Sequence, residues 1–127
     1  LLVIAYSSTN IDLLLDDDQI YNISDIKRKN IPGNKRINTV TIDGRYAYVS
    51  CGFGIVVIDL IKHEIKDTWF PNNNRQNTIT FQVNCTANDL YAVTENGIWT
   101  CPLKNNWATN AWQWRSEYNN IGIQKIV

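Results

Sequence analysis

A hairpin-sized motif recurs along the chain at a spacing that few folds share. Ala47-Tyr48-Val49-Ser50-Cys51-Gly52-Phe53-Gly54-Ile55-Val56-Val57-Ile58 aligns with Leu90-Tyr91-Ala92-Val93-Thr94-Glu95-Asn96-Gly97-Ile98-Trp99-Thr100-Cys101, so Tyr48, Gly54 and Ile55 lie 43 residues before Tyr91, Gly97 and Ile98. The chain opens on the same shape, Ile4-Ala5-Tyr6-Ser7-Ser8-Thr9-Asn10-Ile11, with Ile11 44 residues before Ile55. Asn10 stands where the later copies have glycine. Asparagine tolerates the left-handed backbone of a tight turn better than most residues, so Asn10 is expected to adopt it.

Each copy reads as strand, tight turn, strand, because β-branched and aromatic residues flank the turn. The paired segments are Tyr46–Ser50 with Ile55–Asp59, and Leu90–Thr94 with Ile98–Cys101. An outer strand follows each hairpin, at Gln19–Ile23, Glu64–Trp69 and Trp112–Arg115, and an inner strand precedes it, at Ile37–Ile42 and Thr78–Val83. Four antiparallel strands per roughly 40–50 residues, with no 3.6-residue periodicity between them, describe a propeller blade. An immunoglobulin-like sandwich has similar strands but does not account for self-similarity at this period. The expected fold is therefore all-β, a β-propeller fragment with about three blades' worth of four-stranded antiparallel sheets. Residues 1–28 read as the last three strands of a blade, 36–70 and 77–118 as full blades, and 121–127 as the first strand of the next. Closed propellers carry roughly four to eight blades, so the sequence reads as a segment of a longer propeller.

Bulk properties exclude several classes. Over 127 residues the chain is 44% hydrophobic and 19% charged, which suits a packed domain rather than a disordered one. Twelve Lys and Arg balance twelve Asp and Glu, which argues against nucleic acid as a partner, since phosphate contacts need a concentrated positive field. No apolar run approaches the ~20 residues of a transmembrane helix. Cys51, Cys85 and Cys101 have no CxxC pair, and the single histidine, His63, forms no zinc-ligand spacing with them. They read as three buried thiols, with one disulfide plus a free thiol as the alternative.

Among clusters that could carry chemistry, Asp16-Asp17-Asp18 lacks the ligand spacing of a calcium loop and reads as a solvated hairpin turn. No metal or other cofactor is expected. Lys27-Arg28-Lys29 with Lys35-Arg36 is a basic stretch between an outer strand and the next inner strand. It reads first as a solvated loop; alternatively Lys27, Arg28, Lys35 and Arg36 form a docking site for an anionic glycan or acidic partner. Trp112 and Trp114 share one strand face and suit packing against a neighbouring blade, leaving Trp107 the freer candidate for stacking on a sugar. Asn22-Ile23-Ser24 and Asn84-Cys85-Thr86 match the short glycosylation pattern, which arises often by chance. There is no nucleophile elbow, no P-loop, and no GxGxxG followed by a helix, so the chain is not expected to be an enzyme.

Asn22-Ile23-Ser24-Asp25-Ile26-Lys27-Arg28, the run from Val49 to Leu60, Glu64-Ile65-Lys66-Asp67-Thr68, and Leu90 to Ile98 followed by Pro102-Leu103 closely resemble the amino-terminal propeller of PorZ-like proteins. The likeness extends from Leu1 to about Leu103 and is most specific at Ser50–Leu60. PorZ-like proteins belong to the type IX secretion system of Bacteroidota and combine two propellers with a carboxy-terminal β-sandwich. The resemblance implies a protein that is exported to the periplasm, outer membrane or cell surface. It also implies a non-catalytic binding and scaffolding role, supporting the sortase step that attaches anionic lipopolysaccharide to secreted cargo. The implied partners are other secretion-system proteins or the anionic glycolipid. The alternative reading is a periplasmic ligand-sensing propeller of a hybrid two-component regulator, which shares the short Asn-Gly-Ile hairpins. A propeller enzyme, the third class, would need carboxylates or histidines converging on the axis.

Overall fold

The computed structural model describes residues 1–6, 10–23, 35–71 and 77–102, and residues 115–118 as backbone. These residues form three antiparallel sheets and no helix, the architecture of a partial β-propeller. The first sheet runs β1 (Leu2–Ala5), β2 (Ile11–Leu14), β3 (Ile20–Ile23). The second runs β4 (Ile37–Asp43), β5 (Tyr46–Cys51), β6 (Gly54–Asp59), β7 (Glu64–Trp69). The third runs β8 (Thr80–Cys85), β9 (Asp89–Thr94), β10 (Gly97–Pro102), β11 (Arg115–Tyr118).

Strand alternation explains why every residue from Ala47 to Leu60 is buried. Ala47, Val49 and Cys51 on β5, with Val56 and Ile58 on β6, face the first sheet and pack with Ile11, Leu13 and Ile23. Their neighbours Tyr48, Ile55 and Val57, with Trp69, face the opposite way and pack with Val83, Leu90, Ala92, Trp99 and Cys101. A sheet covered on both sides needs an unbroken apolar run, which is what Ile55-Val56-Val57-Ile58 supplies. Each such side chain contributes about 1.5–3 kcal/mol on burial.

The hairpins account for the glycines. Gly54 lies where a Cβ would stand 2.5 Å from the Trp69 carbonyl oxygen and 3.2 Å from the Phe70 ring. Gly97 has φ +103°, in the region that favours glycine. Among the described residues the non-glycine positions with positive φ are Asp18 and His63. Residues 7–9 of the first hairpin, and with them the backbone angle expected of Asn10, lie outside the described residues. That hairpin is one residue longer than the others: Ala5 pairs with Ile11, whereas Ser50 pairs with Ile55 and Val93 with Ile98. The added residue moves β1 one residue further from its counterpart, so the 44-residue spacing holds for β2 alone.

The seam between the second and third sheets has a polar component as well. Thr39 and Thr41 hydroxyls on β4 donate to the Phe81 and Val83 carbonyls of β8 at 2.9 and 2.7 Å. Asn38 Nδ2 donates to the Thr80 carbonyl at 2.8 Å. β8 is an end strand of its sheet, and backbone acceptors there need partners from outside it.

The outer strand of the third sheet lies at Arg115–Tyr118 and overlaps the expected Trp112–Arg115 at one residue. Pairing, rather than apolar content, sets its place: Thr100 opposes Arg115 and Ile98 opposes Tyr118. Trp107, Trp112, Trp114 and the segment 121–127 lie outside the described residues. The cysteines are all free, with Cys51 and Cys101 buried and Cys85 partly so. Leu90 stands between Cys85 and Cys101 in the cross-strand row, so those two are two strands, about 10 Å, apart, too far to bond. Burial pushes the Cys51 thiol up to about 12, and burial with nearby Asp43 does the same for Cys85.

Candidate interaction surface

Alternating strand directions sort the loops onto two rims. One rim carries the hairpins 51–54 and 94–97 and the entries to β4 and β8. Backbone bonds from Gly52 to the Arg36 carbonyl, Thr78 to the Phe53 carbonyl and Glu95 to the Ile79 carbonyl bind it together. Lys35 and Arg36 sit here at the entry to β4, Lys35 half-buried and Arg36 exposed. Lys27 and Arg28 lie outside the described residues.

The opposite rim carries the turns 15–19, 43–46, 60–63 and 86–88. Asp16-Asp17-Asp18 forms the β2–β3 hairpin turn, as its sequence suggests. Leu15 N donates to the Gln19 carbonyl at 2.9 Å, Asp18 N to the Leu15 carbonyl at 3.1 Å, and Gln19 N to Asp17 Oδ1 at 3.2 Å. Asp18 takes a left-handed φ of +66°, which aspartate tolerates through its short polar side chain. Among the described residues no group of three or more His, Cys, Asp or Glu side chains is placed to hold a metal ion.

Sequence reasoning missed the polar contacts on this second rim. Arg45 grips Asp59 through Nε at 3.0 and 3.1 Å and Nη2 at 2.7 Å. Asp59 Oδ1 also accepts from Ile61 N and Lys62 N at 2.9 and 3.0 Å. The carboxylate is buried whereas the Arg45 side chain is 40% exposed. Hydrogen bonding to Arg45, opposed by desolvation and helped by the two backbone donors, holds the Asp59 carboxyl well below the usual carboxylate range. Arg45 and Lys66 both lie over the Tyr46 ring, at 5.8 and 5.5 Å from its centroid. Across the first seam Tyr21 and His63 approach to 4.3 Å between ring centroids. The one available signal was an aspartate ending an apolar strand just before a polar turn, which favours side-chain capping of the turn. Its cationic partner comes from another turn and could not be read from spacing.

These contacts join turns and blades; none assembles a nucleophile with a base. Among the described residues no helix is long and apolar enough to cross a membrane.

A family model described as the N-terminal β-propeller domain of PorZ, of the type IX secretion system, matches residues 1–115. A comparison with curated protein sequences gives no match. Among solved structures the chain is similar to PorZ of Porphyromonas gingivalis, described as an essential bacterial surface component of the type-IX secretion system. The identity is 26% and the TM-score 0.68, over 90% of this chain. The chain spans only 15% of that protein's length. The match over residues 1–115, with the three-sheet architecture beneath it, places this chain in the family of PorZ amino-terminal β-propeller domains of the type IX secretion system.

Proposed function

We propose that this propeller is a non-catalytic binding and scaffolding module that supports sortase-mediated attachment of anionic lipopolysaccharide to secreted cargo. The observation that carries the reading is the family match over residues 1–115, which also weighs against the sensor of a two-component regulator. The protein that contains the module works at the bacterial surface, with other secretion-system proteins as partners. Residues 36–70 and 77–118 serve as whole blades, 1–28 as three strands of a preceding blade and 121–127 as the start of a following one.

Within this reading Lys27, Arg28, Lys35 and Arg36 form the anion-docking stretch. Its supporting observation is that Lys35 and Arg36 stand on the rim opposite the acidic turn Asp16-Asp17-Asp18, so the two charge clusters do not neutralise each other. Titration of the full-length protein with purified anionic lipopolysaccharide tests the reading. Saturable binding that weakens with added salt is the expected result. Binding that never saturates would overturn the glycolipid role while leaving family membership untouched.

A further inference from the structure

We infer that Asp12 receives a cationic side chain from the blade that packs on the first sheet, on the side opposite the second sheet. The inference comes from one repeat position read across the three sheets. Asp12 lies on β2 between Ile4 of β1 and Asn22 of β3. Val56 holds the same place on β6, between Val49 and Thr68, and Trp99 holds it on β10, between Ala92 and Ser116. Val56 is 1% exposed in the core shared with the first sheet, and Trp99 is 7% exposed in the core shared with the second. In both blades this position is the middle of the face that meets the preceding sheet.

Asp12 belongs to the corresponding face of the first sheet. Its neighbours Ile11 and Leu13 are buried against the second sheet, and strand alternation turns Asp12 the other way. In a closed propeller each blade face meets a neighbour, so a carboxylate stands where the other two blades have an apolar core residue. Two side chains of the same face hold it in place. The Tyr6 hydroxyl donates to Asp12 Oδ2 at 2.9 Å, and Asn22 Nδ2 donates to Asp12 Oδ1 at 2.8 Å. Both donors are neutral, and among the described residues no cation pairs with Asp12. The carboxylate is aimed, and its charge is left to a group on the covering blade.

That charge selects the occupant. A carboxylate buried without a counter-ion is costly, whereas an apolar side chain serves at this position in the second blade. Each Asp12 oxygen accepts one bond and keeps a further acceptor site, which suits the planar fork of a guanidinium better than a single ammonium. Trp99 shares its core with Tyr48, Ile55, Val57 and Trp69, which lie on the second, third and fourth strands of the preceding sheet. The cation is therefore expected on one of those three strands of the covering blade. An apolar face docked here would bury the charge unpaired, so this seam accepts a neighbour that brings a cation and rejects one that does not. The proposal rests on the blade architecture and is independent of the glycolipid role.

Thermal unfolding of the full-length protein with Asp12→Asn gives the first test. Asparagine accepts from Asn22 and donates to the Tyr6 oxygen, so the substitution removes the charge and keeps both hydrogen bonds. The melting temperature should fall, because the cation opposite is left buried without its partner. A raised or unchanged melting temperature would overturn the proposal, since a carboxylate facing neutral groups gains nothing from its charge. The crystal structure of the unaltered full-length protein gives a second test that no variant's folding can obscure. It should place an arginine or lysine nitrogen of the covering blade within about 4 Å of the Asp12 carboxylate. Neutral groups, water or a metal ion in that place would overturn the proposal.

Discussion

Asp59 ends β6 below the surface, and everything that holds it there is polar: the Arg45 guanidinium and the amides of Ile61 and Lys62. Removing its charge leaves two turn amides with a poorer acceptor, which should cost about 1–2 kcal/mol at neutral pH. The Arg45 contact adds little beyond this, because its partner side chain is partly exposed and screened. The folded pKa of Asp59 lies below its ordinary value, so the stabilisation is complete above the ordinary carboxylate pKa of about 4. It is lost as the pH falls below that value. Asp59→Asn should therefore melt lower than the unaltered protein at pH 7, and the gap should close on acidification when thermal unfolding is followed across the range. Two glycines offer a second comparison. Gly54→Ala drives a methyl into the Trp69 carbonyl oxygen and should lose about 2 kcal/mol or more. Gly44→Ala meets nothing within 4 Å and carries only the strain of a left-handed φ of +58°, about 1 kcal/mol. Urea unfolding of the two variants should rank them in that order.

At the scale of elements, the seam between the second and third sheets combines an aliphatic and aromatic core with a row of hydroxyl-to-carbonyl bonds. Thr41→Val keeps the shape of the side chain and removes the 2.7 Å bond to the Val83 carbonyl, leaving a buried acceptor with poorer company. A loss of about 1 kcal/mol is expected, with a similar loss for Thr39→Val. The two should fall short of additive, because both bonds serve the same strand pair. A double-mutant cycle by chemical denaturation measures the shortfall, and full additivity would show that β4 and β8 are not held as one seam. The strands of this seam were legible in sequence as β-branched runs. The bonds across it were not, because a threonine on a strand reads the same whether its hydroxyl meets water or a carbonyl 42 residues away.

For the whole molecule, the two rims differ in what they present. One holds Lys35 and Arg36 beside the entry to β4, and the other holds Asp16, Asp17 and Asp18 in a closed turn. Charge reversal of Lys27, Arg28, Lys35 and Arg36 together should weaken anionic lipopolysaccharide binding about tenfold or more without lowering the melting temperature. Reversal of the acidic turn in the same assay should leave binding unweakened. Equal affinity in the first variant would remove the basic stretch from the proposed function.

Repetition was sufficient to give the blade, because a motif returning every 43 or 44 residues with period-2 alternation can bury its apolar residues only against copies of itself. The run from Ser50 to Leu60 likewise carried the family. The β5–β6 hairpin and both of its covered faces were therefore implicit in the chain. What pairing between strands decides was not implicit. The first hairpin is longer by one residue, which shifts β1 relative to its counterparts in the other sheets. The bulges at Lys66 and Glu117 and the place of β11 are settled by register against β6 and β10. The Arg45–Asp59 pair depends on two turns meeting at one rim. Such features are differences between copies of a repeat. A periodic sequence states what its copies share, whereas register and contact in three dimensions decide where they differ.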